Sequence, residues 1–351
     1  MPGAAQPVPD DRTTVTELAT ALGMLGFADV PRALARRPGE LAVTEATWAH
    51  LDGLRASGRY EAEFSTAFAN GVAFLEAADG LRGRRPRLIE WTGGRRPPGD
   101  EVAPVDLRID HVYLVSCKYL SRTIANPSPA RLFEGLLATT GDWEQTDWYE
   151  VVAPAALRAL YGACRLATGL TGLPDDPALL CTEDRQRLRR ALPGRAYPAG
   201  ARPAYRELCA QVSAASAQRW RDNVARRGAA ERMLWRLLRI GNATYFLLGA
   251  DQRRSLRLRV ASPWDWRQAY RLLDLDITAA ASGQPQVDWC ATYVERAGNR
   301  RRSVRGHVEV RWSHGRFAQP PEAKVYLDTP SDELPGYFPL EHGASQPELW
   351  E

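Results

Sequence analysis

The two lysines of this chain, Lys118 and Lys324, are the residues whose type most suggests a chemical role. Lysine and arginine together number 46 among 351 residues, so all the other basic residues are arginines. A lysine is a compact charge whose pKa can shift, whereas the arginine guanidinium is a planar fork that stays charged. We therefore expect a lysine in so arginine-rich a chain to do something that arginine cannot.

Lys118 lies in a segment that could hydrolyse a phosphodiester. This reaction needs a divalent cation on the phosphate, an activated water and a positive charge near the developing negative charge. Asp106 lies in one predicted strand, and Ser116, Cys117 and Lys118 lie in the next. Because side chains alternate along a strand, Ser116 and Lys118 share a face, with the Cys117 carbonyl between them. Mg²⁺ accepts such a small set of oxygen ligands because it retains several waters.

Three further acids could serve this site, namely Glu63 from the preceding predicted helix, Glu90 from an earlier predicted strand, and Asp110 at the turn as the fallback ligand. The length of that turn decides whether Asp106 contributes. A two-residue turn at positions 110 and 111 would pair residue 106 with residue 115 and leave Asp106 on the face opposite Lys118. A three-residue turn or a bulge would return the two side chains to one face.

This arrangement resembles the PD-(D/E)xK nuclease superfamily, the fold of many type II restriction endonucleases, over roughly residues 61 to 137. The resemblance implies that Asp106 and the Cys117 carbonyl hold Mg²⁺ with help from Glu63 or Ser116, with Mn²⁺ as the alternative cation. It also implies that Lys118 orients the attacking water and stabilises the charged transition state. A 5′-phosphate product and a role in restriction of foreign DNA are further implications. The family's usual acid two residues before the lysine is Ser116 here, so a non-catalytic nucleic-acid-binding subunit with a degraded site is the alternative.

Lys324 ends a second acid-x-lysine sequence, which begins at Glu322. Glu309 or Asp288 could be its partner acid, but prolines precede the segment and no helix is predicted after it. We rank this set below the first and otherwise expect a structural or phosphate-contacting lysine. His314 could assist DNA contact or catalysis, or it could cap a turn.

The elements that must position these residues predict a mixed α/β (α+β) fold. We expect a restriction-endonuclease-like core with a mixed sheet flanked by helices, plus a helical and β-hairpin basic region. The predicted segments are an N-terminal helical segment (1–60), the catalytic core (61–150), a helical region (151–240) and a C-terminal mixed α/β region (241–351) that contacts DNA. The predicted helices cover residues 15–25, 45–56, 61–78, 131–137, 214–238 and 264–273. The predicted strands cover residues 87–91, 105–109, 112–120, 243–248, 255–260, 289–294 and 304–312.

Positive charge is concentrated in one part of the chain. Residues 195–316 contain 23 arginines against 10 acids, a net charge of +13, whereas the whole chain carries only +4. This segregation suits a protein with an acidic part that could bind a metal and a basic part facing a polyanion, although a solvated basic surface would look the same. The predicted hairpin, with its connection at residues 297–302, could place arginines in the DNA major groove or on phosphates. The arginines concerned are Arg296, Arg300, Arg301, Arg302 and Arg305.

The expected partner is therefore DNA, and we favour double-stranded over single-stranded DNA. The basic segment disfavours a small-molecule hydrolase. Cutting both strands with one site per chain favours a two-fold symmetric homodimer. No apolar run is long enough for a membrane span, so we expect no membrane partner and a cytoplasmic protein. The five cysteines form no CxxC pattern and predict reduced thiols rather than a zinc or disulfide framework.

Overall fold

The structure is a computed structural model that describes residues 10–93, 105–119, 123–138, 146–194, 196–251, 254–280 and 283–341. The α-helices in these residues are α1 (Asp11–Gly23), α2 (Val30–Arg36), α3 (Glu45–Ala56), α4 (Glu61–Glu76), α5 (Pro129–Phe133), α6 (Trp148–Val152), α7 (Pro154–Thr168), α8 (Thr182–Ala191), α9 (Arg202–Arg226), α10 (Ala230–Leu237) and α11 (Pro263–Ala269). The strands are β1 (Leu41–Ala42), β2 (Ile89–Trp91), β3 (Leu107–Ile109), β4 (Tyr113–Tyr119), β5 (Thr123–Ala125), β6 (Tyr245–Asp251), β7 (Arg254–Val260), β8 (Tyr270–Ala280), β9 (Gln286–Glu295), β10 (Arg300–Arg311), β11 (Glu322–Leu327) and β12 (Tyr337–Pro339).

The chain divides into two units, and each is built from separate stretches of sequence. The first unit contains residues 1–121, 239–269 and 331–351, and the second contains residues 122–238 and 270–330. The described residues thus form a mixed α+β protein, as expected. No helix in the described part of the chain is long and apolar enough to cross a membrane.

The first unit is organised around a seven-stranded mixed sheet with the strand order β1-β2-β3-β4-β6-β7-β12. The pairs β1–β2 and β4–β6 are parallel and the other neighbours are antiparallel. Buried side chains from β2, β3, β4 and β6 form one hydrophobic cluster with α1 and α4. These two helices therefore cover the face of the sheet that carries the odd-numbered residues of β3 and β4.

Helices α1 and α4 pack with their backbones in contact. A Cβ atom added to Gly71 would lie 2.0 Å from the carbonyl oxygen of Thr20, and one added to Gly23 would lie 2.1 Å from that of Phe68. Every residue of α1 from Thr14 to its end is buried. The acidic residue Glu17 is therefore held inside the first unit by a helix that has no room to shift toward α4.

The second unit is organised around a five-stranded antiparallel sheet with the order β5-β11-β10-β9-β8. Long helix α9 packs on β8 and β9, where Ser213 accepts a hydrogen bond from the backbone N–H of Gln286 at 2.9 Å. Apolar side chains such as Val287 and Trp289 are buried on one face. The alternating residues on the other face are polar and half-buried, and they include Lys324.

Two of the predicted elements are wrong. The single helix expected over residues 214–238 is two helices, because the chain turns at Gly228, where φ is +54°. The helix expected over residues 264–273 ends at Ala269, and Tyr270 begins β8 instead. In this second case, pairing with β9 overrides a sequence that alternates leucine and aspartate and has no strong local preference.

Candidate functional site

The turn between β3 and β4 decides which face of the sheet carries Asp106. Leu107 pairs with Val115 through a three-residue turn at positions 110–112, so the strict two-residue turn does not form. Residue 106 therefore lies opposite residue 116, and Asp106 shares a face with Ser116. Since alternation places residue 118 on that face as well, the turn brings the acid and the first lysine to one side of the sheet.

Asp106 is held by the strand that carries the lysine. Its Oδ2 accepts the backbone N–H of Cys117 at 2.6 Å and the hydroxyl of Ser116 at 3.3 Å. Its own backbone N–H donates to the carbonyl of Val115 at 2.9 Å, and its carbonyl accepts the N–H of Thr92 at 3.0 Å. The carboxylate thus occupies the position of a ladder partner for Cys117, at the point where β3 begins.

Glu17 is the acid that the sequence analysis missed. It is only 5% exposed, and one of its carboxylate oxygens accepts the indole N–H of Trp91. Burial, followed by the negative charge of Asp106, raises the pKa of Glu17 to about 8, and the Trp91 hydrogen bond only partly opposes this. Glu17 therefore keeps a proton at neutral pH, beside a second carboxyl group.

Cys117 contributes its backbone to this cluster, whereas its thiol lies on the α1 side of the sheet. The Sγ atom interacts with Thr20, and burial raises the pKa of the thiol well above its ordinary value, with further contributions from Asp106 and Glu17. A thiol in such surroundings stays protonated and is a poor nucleophile. The predicted role of Cys117 through its carbonyl oxygen is compatible with this orientation.

Lys118 is fixed through the strands and helices around it. A Cβ atom added to its neighbour Gly249 on β6 would lie 1.8 Å from the Lys118 carbonyl oxygen, so only glycine fits there. The side-chain amide of Asn70 on α4 donates to the Gly249 carbonyl at 2.8 Å and to the Tyr119 hydroxyl at 3.1 Å. Arg257 donates in turn to the Asn70 side-chain oxygen at 2.9 Å. This polar network ties β4 and β6 to the helices.

The other predicted acids of the first unit are engaged elsewhere. Glu63 on α4 lies 2.9 Å from the guanidinium of Arg12, so the helical acid that the structure brings to Asp106 is Glu17. Asp110 accepts the backbone N–H groups of residues 87 and 88 at 2.7 and 2.9 Å, which makes it a cap for the turn. Glu90 lies on the same face as Asp106, with its carboxylate 3.3 Å from the imidazole of His111.

The second lysine also lies beside acids, in the five-stranded sheet. Lys324 on β11 pairs directly with Glu309 on β10, and its amine lies 3.6 Å from the Glu322 carboxylate. Glu309 lies 2.9 Å from the guanidinium of Arg311, and the His314 imidazole lies 3.6 Å from Glu322. Burial raises the pKa of Glu322, but hydrogen bonds together with the charges of Lys324 and His314 bring it below its ordinary value.

The basic hairpin differs from the prediction in its connection. The turn covers only residues 296–299, so Arg300, Arg301 and Arg302 lie in β10 rather than in the turn. The Nε atoms of Arg300 and Arg302 lie 3.2 and 2.8 Å from the two carboxylate oxygens of Glu295. The hairpin arginines Arg300, Arg301, Arg302 and Arg305 are exposed, and Arg296 donates to the backbone carbonyl of residue 270.

Comparisons of the chain with protein-family models, with curated proteins and with solved structures found no significant match. The assignment of a function therefore depends on the site alone. Among the described residues, no group of three or more His, Cys, Asp or Glu side chains is arranged to hold a metal ion. The cluster in the first unit consists of two carboxyl groups, those of Glu17 and Asp106, beside the strand that carries Lys118.

Proposed function

We propose that the protein is a Mg²⁺-dependent DNA endonuclease whose hydrolytic centre lies where α1, β3 and β4 meet. The observation that supports this most is the pair of carboxyl groups of Glu17 and Asp106, in which the pKa of Glu17 is raised to about 8. A buried carboxyl group that keeps its proton at neutral pH, next to the negative charge of a half-buried carboxylate, forms a site where a divalent cation can replace that proton.

The donor set fits Mg²⁺. This ion is commonly bound by one or two carboxylates, completes its octahedral shell with waters and substrate phosphate oxygens, and does not need a cage of protein ligands. Glu17 and Asp106 would supply the carboxylates and Cys117 its carbonyl oxygen. When bound, Mg²⁺ would polarise the phosphodiester and make a coordinated water more acidic.

The other residues of the site have separate roles in this proposal. Ser116 is a positioning residue, because its hydroxyl and the neighbouring N–H group of Cys117 fix one oxygen of Asp106. Lys118 shares the face of Asp106, where its ammonium group would orient the attacking water and stabilise the charge that develops on the phosphate. The new bond joins the water oxygen to phosphorus, the P–O3′ bond breaks, and the 3′-oxygen takes up a proton, which leaves a 5′-phosphate.

The restriction-endonuclease-like identity of the first unit belongs to the same proposal. The mixed sheet supports it, since the antiparallel pair β3–β4 brings Asp106 beside the strand of Lys118, and the Asp106 carboxylate, bound to the Cys117 N–H group at the start of β3, also interacts with Glu17 on α1. A role in restriction of foreign DNA and a homodimer that cuts both strands follow from the resemblance.

The test is cleavage of supercoiled plasmid in millimolar Mg²⁺ by the wild type, Lys118→Met and Lys324→Met. Loss of a charge that stabilises the transition state reduces the rate by about 10²- to 10³-fold, so we expect this loss for Lys118→Met. Lys324→Met is the matched control, because it removes the only other lysine and should stay within about threefold of the wild type. Equal activity of Lys118→Met and the wild type would contradict the proposal.

A non-catalytic nucleic-acid-binding subunit is the second candidate. The observation that favours it is Ser116, which stands where the resembling family has an acid and occupies one oxygen of Asp106 with a hydrogen bond. The Ser116→Asp variant separates the two candidates. A wild type that binds duplex DNA without cutting it, together with cutting by Ser116→Asp, would identify a degraded site. A wild type that cuts DNA would exclude this candidate.

A further inference from the structure

Four arginines of the second unit lie around one turn of the chain and one short helix. Arg232 and Arg236 are four residues apart on α10, so their side chains emerge on the same side of the helix. Arg131 belongs to α5, and Arg227 is the C-cap residue of α9, just before α10 begins. We call these four residues the α10 arginine cluster.

The turn that follows α5 holds two members of the cluster in place. Leu136 and Leu137 both adopt the left-handed conformation, with φ of 52° and 58°. The Arg131 guanidinium donates to the carbonyl of Ala138 at 3.3 Å, and the Arg236 guanidinium donates to the carbonyl of Leu136. Both cations are therefore anchored by neutral acceptors of the same turn, and their charge is not cancelled.

The other three members of the cluster repel the charge of Arg236. Burial lowers the pKa of Arg236, and the charges of Arg232, Arg131 and Arg227 lower it further. Within the described part of the chain, no carboxylate forms an ion pair with any of the four guanidinium groups, whereas many other arginines, such as Arg219 with Glu134, do have one. The fold thus holds like charges together at an energetic cost that a bound anion would remove.

The two acids closest in sequence, Glu134 and Glu231, lie in other surroundings. Glu134 is bound by Arg219. Glu231 lines an open groove of about 580 Å³ between α9, α10 and β8, and no member of the cluster lines that groove.

We propose that the α10 arginine cluster is a phosphate-binding surface for the backbone of nucleic acid. A guanidinium fork matches two oxygens of one phosphate, so several forks held close together suit a ligand that carries phosphates in series. None of the large hydrophobic side chains exposed among the described residues belongs to the elements that carry the cluster, which argues against a membrane surface, since insertion into a bilayer requires them. That the nucleic acid is DNA rests on the proposed function, whereas phosphate binding itself does not.

The test measures binding of a fluorescent DNA duplex by anisotropy, in EDTA, over a range of salt concentrations. Arg227→Gln/Arg232→Gln removes the two exposed members that make no side-chain hydrogen bond in the described structure. Each lost phosphate contact lowers the slope of log K against log salt by about 0.9, so we expect this slope to fall by about 2 and the affinity to fall about tenfold. Arg190→Gln/Arg206→Gln removes two exposed arginines of the same unit and should leave the slope unchanged.

Further outcomes decide the remaining points. Arg227→Lys/Arg232→Lys keeps the charge and should restore most of the slope. An equal slope for the cluster variant and the control variant would overturn the proposal. Weaker binding to phosphatidylglycerol vesicles with unchanged duplex binding would also overturn it, in favour of a lipid surface. A wild type that never cuts DNA, combined with the expected change in slope, would refute the proposed endonuclease and leave this surface standing.

Discussion

Each of the two sheets carries one of the two lysines next to acids, and the two settings differ in charge balance. In the seven-stranded sheet, Lys118 follows Cys117, whose N–H group binds Asp106, and Glu17 nearby has a pKa raised to about 8. In the five-stranded sheet, Glu309 and Glu322 lie within 4 Å of cations, and the pKa of Glu322 is lowered.

The comparison shows that the residue types of a motif do not decide what the motif can bind. Both sets bring carboxyl groups close to a lysine on an antiparallel pair of strands. Only the first contains a carboxyl group that its surroundings fail to keep ionised, and such a group favours an additional cation. The second set already contains its own cations and has the charge pattern of a structural network.

The largest expected difference concerns the dependence of stability on pH. Glu17 titrates near pH 4.5 when unfolded and near pH 8 when folded. The stability that the Glu17 carboxyl group contributes is fully present below pH 4.5. As pH rises to about 8, the free energy of unfolding falls by up to about 5 kcal/mol. Urea unfolding should therefore show Glu17→Gln equal to the wild type at pH 4.5 and more stable at pH 9.

For Glu322 we expect the opposite dependence of stability on pH. Its lowered pKa adds stability above its unfolded value, and this stability is lost as pH falls. Glu322→Gln should be less stable than the wild type at pH 7 and equal to it in acid. If Glu17→Gln and Glu322→Gln both gained, or both lost, stability relative to the wild type as pH rises, the proposed difference in charge balance between the two lysine sites would be contradicted.

The next largest effect is stabilisation by Mg²⁺. A ligand that binds only the folded state at 100 times its Kd adds about 2.7 kcal/mol. We expect millimolar Mg²⁺ to raise the Tm of the wild type at pH 7.5, and to raise that of Glu309→Gln equally. Glu17→Gln and Asp106→Asn should lose most of this shift, and a shift retained in both would place the cation elsewhere.

Replacing a glycine near either lysine with alanine should lower the free energy of unfolding by about 1–3 kcal/mol, the usual cost of overpacking. A Cβ atom at Gly249 would lie 1.8 Å from the Lys118 carbonyl oxygen, and one at Gly306 would lie 2.3 Å from that of Tyr326. Both alanine variants should lower the free energy of unfolding. Only Gly249→Ala should also weaken the stabilisation by Mg²⁺, because only this change displaces the strand of Lys118.

The smallest effects concern single hydrogen bonds to one acid of each set. Ser116 donates to Asp106 at 3.3 Å, and Asn126 donates to Glu322 at 3.0 Å. Ser116→Ala and Asn126→Ala should each cost about 1 kcal/mol or less in urea unfolding. Ser116→Ala should in addition change the affinity for Mg²⁺, whereas a change of that affinity by Asn126→Ala would contradict the assignment of the two sets.

Much of the first unit could be predicted from local pattern. The helix expected over residues 61–78 is α4, and the three predicted strands that follow are β2, β3 and β4, each with slightly different ends. Helical spacing and alternation are strong signals in these segments. They left the length of the turn after β3 open, and with it the placement of Asp106, which the three-residue turn decides.

Glu17 was missed because periodicity predicts a helix but not what lies opposite it. Its sequence neighbours Thr16 and Leu18 are buried, and a carboxylate within such a run was the available signal. The α10 arginine cluster was missed for a related reason. Its members come from three helices, and the turn at Gly228 that separates α9 from α10 was not predicted.

Because the turn after β3 has three residues, the arrangement of the site depends on whether the number of residues in this turn is odd or even. Removing or adding one residue at positions 110–112 would rotate β4 by one step relative to β3 and send Asp106 and Lys118 to opposite faces of the sheet. Removing or adding two residues would shift the strands yet leave both side chains on a common face. Insertions of one residue in this turn should therefore separate Asp106 from Lys118, whereas insertions of two residues should keep them together.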